Sequence, residues 1–266
     1  MLPDECACYL INLDRSPDRL AIMSGRLSAT GIVFERVAAV DGMSLSDAQF
    51  QQQIRENRFY KPLRRGEVGC YLSHMEAMQR FIASGLRYAL VLEDDVFLPD
   101  GLAGLVADAI ELRERSHDAR LTWDVLKLAK GRSRHIDLAP LGAQHRLVEY
   151  GPSVPITTAA AVWTREGAMR WMHQFRGVAR PIDCDLQHPW EYGLCIRSVH
   201  PVPITAGTVS VMGSDDHVTR SPWPKLRYEG HRFTRKWRYF AGSYGWRFVL
   251  PWLWRKRLVY RPQMLD

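Results

Sequence analysis

Apolar residues in this chain come in short continuous runs separated by segments with helical spacing. Residues 7–13, ACYLINL, are apolar enough to predict a strand buried on both faces. Ser16-Pro17 then predicts an N-cap with proline in the first helical turn. Leu20, Met23 and Leu27 recur at helical spacing, and Gly31 is the expected stop. Residues 32–40, IVFERVAAV, predict a second strand, closed by Asp41-Gly42. The chain therefore opens as strand, helix, strand.

A polar, glutamine-rich region runs from Met43 to Arg65 and is followed by GEVGCYLSHMEAMQRFIASG. Ser73 and Glu76 stand three apart, which predicts a capping box. The helix after it is amphipathic through Met78, Phe81 and Ile82 and ends at Gly85. YALVL, residues 88–92, predicts a buried strand, and WDVLKLAK (123–130) and VPITTAAAVWT (154–164) predict two more. Arg165 to Phe175 reads as helix. Residues 178–204 contain four prolines and read as loop with short elements. Alternating strands and helices predict an α/β fold with a mostly parallel sheet.

Composition adds bounds. The 266 residues, 46% hydrophobic, fit one large α/β domain or a domain with an appendage. The five cysteines, Cys6, Cys8, Cys70, Cys184 and Cys195, form no CxxC pair, which argues against a disulfide framework and a structural zinc site. Cys6 and Cys8 are expected on one strand face as small core residues. The sequence MLPDECACYLINLDR lacks a basic n-region and a long apolar core, so no signal peptide is expected. No apolar run approaches the ~18 residues of a membrane span. A reducing, cytoplasmic setting is the expectation.

Charge divides the chain. From Lys225 onward there are eleven Lys/Arg and two acids, a net +9, so the overall +7 leaves −2 for the first 224 residues. The expected boundary falls near Pro222-Trp223-Pro224, with a catalytic body over 1–221 and a basic, aromatic tail over 222–266.

YALVL runs directly into Glu93, Asp94 and Asp95. Adjacent carboxylates repel and resist burial. In open α/β sheets ligands bind beyond the carboxyl ends of strands, and hard divalent cations take carboxylate oxygens together with substrate phosphates. A Mn2+ or Mg2+ ion would offset the repulsion; a solvated acidic turn is the bland alternative.

CYLINLDRSPDR, FERVAAVDG, GEVGCYLSH and YALVLEDDV, in this order and spacing, resemble glycosyltransferase family 25, the bacterial lipooligosaccharide galactosyltransferase family. TREGA (164–168) and RPIDCDLQ (180–187) extend the resemblance, which covers roughly residues 7–210. It implies a GT-A-type, Rossmann-like nucleotide-sugar domain. It also implies metal-dependent transfer of a sugar, usually galactose from UDP-galactose, with inversion. The DXD-like metal motif falls on Glu93-Asp94-Asp95: Asp95 would bind the metal, Asp94 the metal or ribose, and Glu93 would shape the turn or hold the nucleotide. Asn12, Asp14, Arg15 and Arg19 become candidates for uracil, ribose and phosphate. Glu67, Ser73 and His74 are candidates near a helix N-terminus. Asp183 is the first choice for the base, Asp185 the second and Glu191 the third. His200 and His217 are candidates for a further metal ligand. The resemblance departs at Ala161, where a tyrosine is expected.

In the tail, Trp237, Trp246, Trp252 and Trp254 sit beside Arg and Lys. Such interleaving suits the interface of an anionic bilayer, the inner face of the plasma membrane, where a lipid-linked oligosaccharide acceptor would be met. Two other readings stay open for the tail. It could be a packed C-terminal cap, or a nucleic-acid-binding stretch; no recognised module supports the latter, and no nucleic-acid partner is expected. A nucleotidyltransferase body is the remaining rival, but no glycine-rich phosphate loop is visible near the N-terminus.

Overall fold

The computed structural model describes residues 1–132, 134–151, 153–207, 223–244 and 257–259. The opening is as the hydrophobic pattern predicts. β1 (Cys6–Asn12) leads into α1 (Pro17–Ala29), and β2 (Glu35–Ala38) pairs parallel to β1. After a 3-10 turn at Gly42–Ser44 come α2 (Asp47–Gln53) and α3 (Arg65–Ser84), which ends at Gly85 in the left-handed region with φ 75°. β3 (Tyr88–Glu93) pairs parallel to β1 on its other side, with Ile11 opposite Glu93. Next are β4 (Val96–Phe97), α4 (Leu102–Arg115), β5 (Val125–Lys127), β6 (His135–Leu141), β7 (His145–Glu149) and β8 (Ala160–Thr164). α5 (Arg165–Gln174), the short α6 (Ile182–Asp185) and α7 (Pro189–Tyr192), β9 (Ile196–His200), β10 (Thr205–Ala206), α8 (Trp223–Tyr244) and β11 (Arg257–Val259) complete the order.

Among the described residues, nine strands form one sheet in the order β11-β6-β7-β9-β5-β8-β3-β1-β2. Following the pairings across it, seven strands point one way and β7 and β8 are reversed. The sheet is therefore mostly parallel in direction, and α/β with a Rossmann-like start. One face packs against α1 and α4 through Met23, Leu27, Leu102 and Val106. The other packs against α3 and α5 through Val68, Met78, Phe81 and Trp171. Cys6 and Cys8 share the first of these faces, as expected; both are buried and free, and burial pushes the Cys6 thiol up to about 12. Tyr88 to Leu92 are all at most 1% exposed. At about 1.5–3 kcal/mol per large apolar side chain, that strand fixes where the acids after it must stand.

Several local readings change. The helix expected to begin at Ser73 begins at Arg65, and the capping arrangement is Glu67 accepting from the Arg64 backbone N–H at 2.8 Å. Ser73 is buried in mid-helix, so the spacing of Ser73 and Glu76 is no cap. Its hydroxyl donates to the Gly69 carbonyl at 2.7 Å and accepts from the Val40 N–H at 2.8 Å. The strand expected over 154–164 is regular only from Ala160, and β6, β7 and α4 had no sequence reading.

The tail is partly built into the body. In α8, Phe240 is 1% exposed and joins the α4 side of the core, with Trp237 packed beside it. Tyr228 packs edge-on against Phe59 and tilted against Tyr60, and the Tyr239 hydroxyl donates to the Leu194 carbonyl at 3.1 Å. Trp246, Trp252, Trp254, Pro222 and His217 lie outside the described residues. Among the described residues, no helix is long and apolar enough to cross a membrane.

Candidate functional site

The parallel trio β2, β1 and β3 delivers its carboxyl ends to one edge of the sheet, and most of the candidate residues sit there. Asn12, the last residue of β1, is 1% exposed and fully used. Its side-chain N–H2 donates to Asp94 Oδ2 at 2.7 Å and to the Ser16 carbonyl at 3.0 Å. Its Oδ1 accepts from Arg36 Nε at 3.1 Å. Arg19, one turn into α1, donates to Asp94 Oδ1 at 3.0 Å. The acidic turn is thus clamped from the first strand and the first helix. Arg36 also pairs with Asp14, and Arg15 with Asp41, both toward solvent. These bonds place the guanidinium groups of Arg19 and Arg36 at the turn, where an anionic ligand would meet them, while Arg15 is held by Asp41.

Asp95 differs from its neighbours. One carboxylate oxygen, Oδ1, is buried and has no hydrogen-bond partner among the described residues. Burial, and then the charges of Glu93 and Asp94, push its carboxyl above the ordinary range; Arg19 pulls the other way. An orphaned buried carboxylate oxygen among acids is the donor chemistry a hard divalent cation takes. The 205–207 segment closes over this residue: β10 pairs antiparallel with β4, and the Gly207 N–H donates to the Asp95 carbonyl at 2.6 Å.

Glu93 faces a second group. Its Oε1 lies 3.1 Å from His74 Nε2 and accepts from the Thr158 hydroxyl at 2.6 Å. Burial raises its carboxyl, but the hydrogen bond and charge of His74, with Thr158 and Lys127, leave it below the ordinary value. Cys70 Sγ stands with His74 and Glu93 within 4.8 Å. Lys127, in β5, is 1% exposed, and its Nζ donates to the Pro155 carbonyl at 2.6 Å. Burial brings it down to about 8, although Asp183 and Glu93 both pull it up. Asp183 is half-buried at the start of α6 and accepts from the Cys184 N–H at 2.7 Å.

The two sequence blocks around Gly42 and Gly69 explain each other. A Cβ on Gly69 would stand 2.6 Å from the Gly42 nitrogen and the Val40 carbonyl oxygen, so α3 presses backbone to backbone on the loop after β2. This contact, with the Ser73–Val40 bond, sets the azimuth of α3 and so delivers His74 to Glu93.

Other candidates take different places. Glu67 caps α3, and Ser73 ties α3 to the loop after β2. Asp185 is 2% exposed and accepts from Tyr71 at 2.8 Å, from Tyr192, and from Arg180 at 2.8 Å. Arg180 in turn holds Glu191. His200 stacks on His135 at 4.1 Å between centroids, with its Nδ1 3.0 Å from the Tyr150 hydroxyl. The metal-capable trio among the described residues is Cys70, His74 and Glu93, without His200. The sequence reading missed Lys127, Arg36 and Thr158. Lys127 had a signal: it is a lone cation inside the apolar run VLKLA.

Residues 6–131 match the family described as "Glycosyltransferase family 25 (LPS biosynthesis protein)". A "Glycosyltransferase 25 family member" of Anopheles gambiae is 30% identical over 177 residues, covering 62% of this chain and 28% of that one. "Procollagen galactosyltransferase 2" of Mus musculus is 31% identical over 131 residues, covering 47% and 20%. "Inactive glycosyltransferase 25 family member 3" of Homo sapiens is 31% identical over 129 residues, covering 46% and 21%. The chain thus spans between a fifth and three tenths of the length of these relatives. The matching region holds β1 to β5, and with them the clamped acidic turn, His74 and Lys127. Through that region the chain is similar to glycosyltransferase family 25.

Proposed function

We propose that this chain is a metal-dependent, inverting glycosyltransferase of GT-A type. It uses a UDP-sugar, UDP-galactose in our reading, and a saccharide acceptor carried on a lipid-linked oligosaccharide of lipooligosaccharide biosynthesis. The observation that carries the reading is Asp95, whose buried carboxylate oxygen lacks a partner among the described residues at the carboxyl end of β3, beside an Asp94 held by Asn12 and Arg19. Because one relative is named inactive, the weight falls on these residues rather than on the likeness to a family.

The residues fit Mn2+ or Mg2+, with Asp95 as ligand and Asp94 beside it. Such a cation, when bound, offsets the negative charge of a diphosphate leaving group. The protein's own groups then divide the work. Arg15 and Arg19 face the phosphates, and Asn12 keeps Asp94 in place. Asp183 takes the acceptor hydroxyl's proton as that oxygen bonds to the anomeric carbon and the bond to the diphosphate breaks, releasing UDP. Asp183 is preferred to Asp185 because Asp185 is 2% exposed and both its oxygens are already engaged in a buried network with Tyr71, Tyr192 and Arg180.

The test is UDP release from a panel of UDP-sugars with Mn2+, with and without lipooligosaccharide acceptor. Acceptor-stimulated release from one sugar, lost on chelation, is the expected result. Release that ignores both chelator and acceptor for every donor overturns the proposal.

A further inference from the structure

α8 presents two different faces. Its inner face is seated on the body through Tyr228, Arg232, Tyr239 and Phe240. At 100° per residue, Trp223, Leu226 and Phe233 follow one i, i+3 stripe and are 71%, 61% and 54% exposed; further along the helix this stripe winds into the body, where Trp237 packs beside Phe233 and Phe240 is buried. Arg227 and Arg238 are exposed on the side next to Trp223, and the exposed Arg235 sits farther round, 3.8 Å from Glu191. Glu229, the acid of this helix, pairs with Arg232 on the inner side. An apolar ridge alongside a cationic one, over a helix about 33 Å long, is the geometry of a helix lying in a lipid headgroup layer.

We propose that this outer face of α8 docks on an anionic lipid surface. Charge decides the occupant. A second copy would bring cations against cations. Phosphate-bearing headgroups complement the arginines, while the acyl boundary accepts Leu226 and Phe233. The inner contacts connect the surface to the chemistry. The Tyr228 ring packs on His188 at 5.9 Å between centroids, and His188 Nδ1 lies 2.9 Å from the carbonyl of Cys184, the neighbour of Asp183. A docked α8 therefore holds the proposed base next to the bilayer, where a lipid-borne acceptor hydroxyl would emerge. This deepens the acceptor half of the proposed function; the docking itself needs no donor.

The experiment is co-sedimentation of the full chain with phosphatidylcholine vesicles, with and without phosphatidylglycerol, at about 0.15 M salt. We expect binding only with phosphatidylglycerol, falling as salt rises. Partition should weaken at least ~10-fold in Arg227→Gln/Arg235→Gln/Arg238→Gln and in Leu226→Ser/Phe233→Ser, both with wild-type Tm. Equal binding to both vesicles overturns the proposal, as does wild-type partition by either variant. A gel shift of nucleic acid at the same salt without vesicle binding, or self-association abolished by Leu226→Ser/Phe233→Ser, overturns it in favour of another partner. If a variant unfolds, the salt dependence of wild-type binding decides, and salt-insensitive binding overturns the proposal. No sugar donor enters these measurements, so failure of docking and failure of the transfer reading are distinguishable.

Discussion

Asn12 at the end of β1 donates to Asp94 at 2.7 Å across 82 positions of sequence, and so locks the acidic turn after β3 to the strand beside it. The parallel register makes this possible, because Ile11 stands opposite Glu93 and the two strand ends emerge together. Asn12→Ala leaves Asp94 with Arg19 alone and strips Arg36 of an acceptor. We expect a loss of about 1–3 kcal/mol in urea denaturation and a raised KM for the UDP-sugar. Wild-type values for both would mean that the clamp is incidental.

Asp95→Asn should separate function from stability. The raised Asp95 carboxyl binds protons more readily in the folded chain than in the unfolded one, so its contribution to stability grows as pH falls and is unfavourable at neutral pH. The amide removes the repulsion from Glu93 and Asp94. Without metal, Tm at neutral pH should hold or rise, while Mn2+-supported transfer falls by at least about 100-fold. A clear fall in Tm would place Asp95 among the structural acids instead.

Asp183→Asn and Asp185→Asn should differ in kind. Asp183 makes one local bond to the Cys184 N–H, so its amide variant should fold and bind UDP-sugar but not transfer. Asp185 anchors Tyr71, Tyr192 and the buried Arg180. Its loss leaves Arg180 with Glu191 as its carboxylate partner and weakens the bonds from the two tyrosines, a defect of about 1–3 kcal/mol, which thermal melting would report before any assay. If Asp185→Asn melts like wild type while losing transfer, the two roles are exchanged.

The legible parts of this chain are those in which local chemistry and tertiary structure agree. β1, β3, α1 and α5 are continuous apolar runs or periodic segments with ordinary ends, so pattern alone finds them. Ser73 shows the opposite case. A serine three residues before a glutamate looks like a cap, but here burial and a carbonyl four residues back hold it inside a longer helix. The acids after YALVL were readable because their cost had to be offset by something. Asn12 was readable as a candidate, but its task was not, because its partner lies 82 residues away. The same limit hid the group of Thr158, Lys127 and His74, which only sheet order brings to Glu93.

Lys127 closes the argument, because a fully buried lysine is rarely mere filling. Burial lowers it to about 8 from an ordinary 10.5. Between those values the unfolded chain binds the extra proton, so this group makes stability rise with pH across the window, and at neutral pH it destabilises. Lys127→Met removes that penalty and costs the bond to the Pro155 carbonyl, about 1 kcal/mol at every pH. The variant should therefore gain on wild type by about 3 kcal/mol more at pH 7 than at pH 10.5. Paired urea titrations cancel the tyrosines and cysteines that ionise in the same range. A protein that keeps a cation at such cost, near Asp183 and Glu93, is expected to use it, so the stabilised variant should transfer sugar more slowly. A flat difference across pH, with unchanged turnover, would return Lys127 to the core.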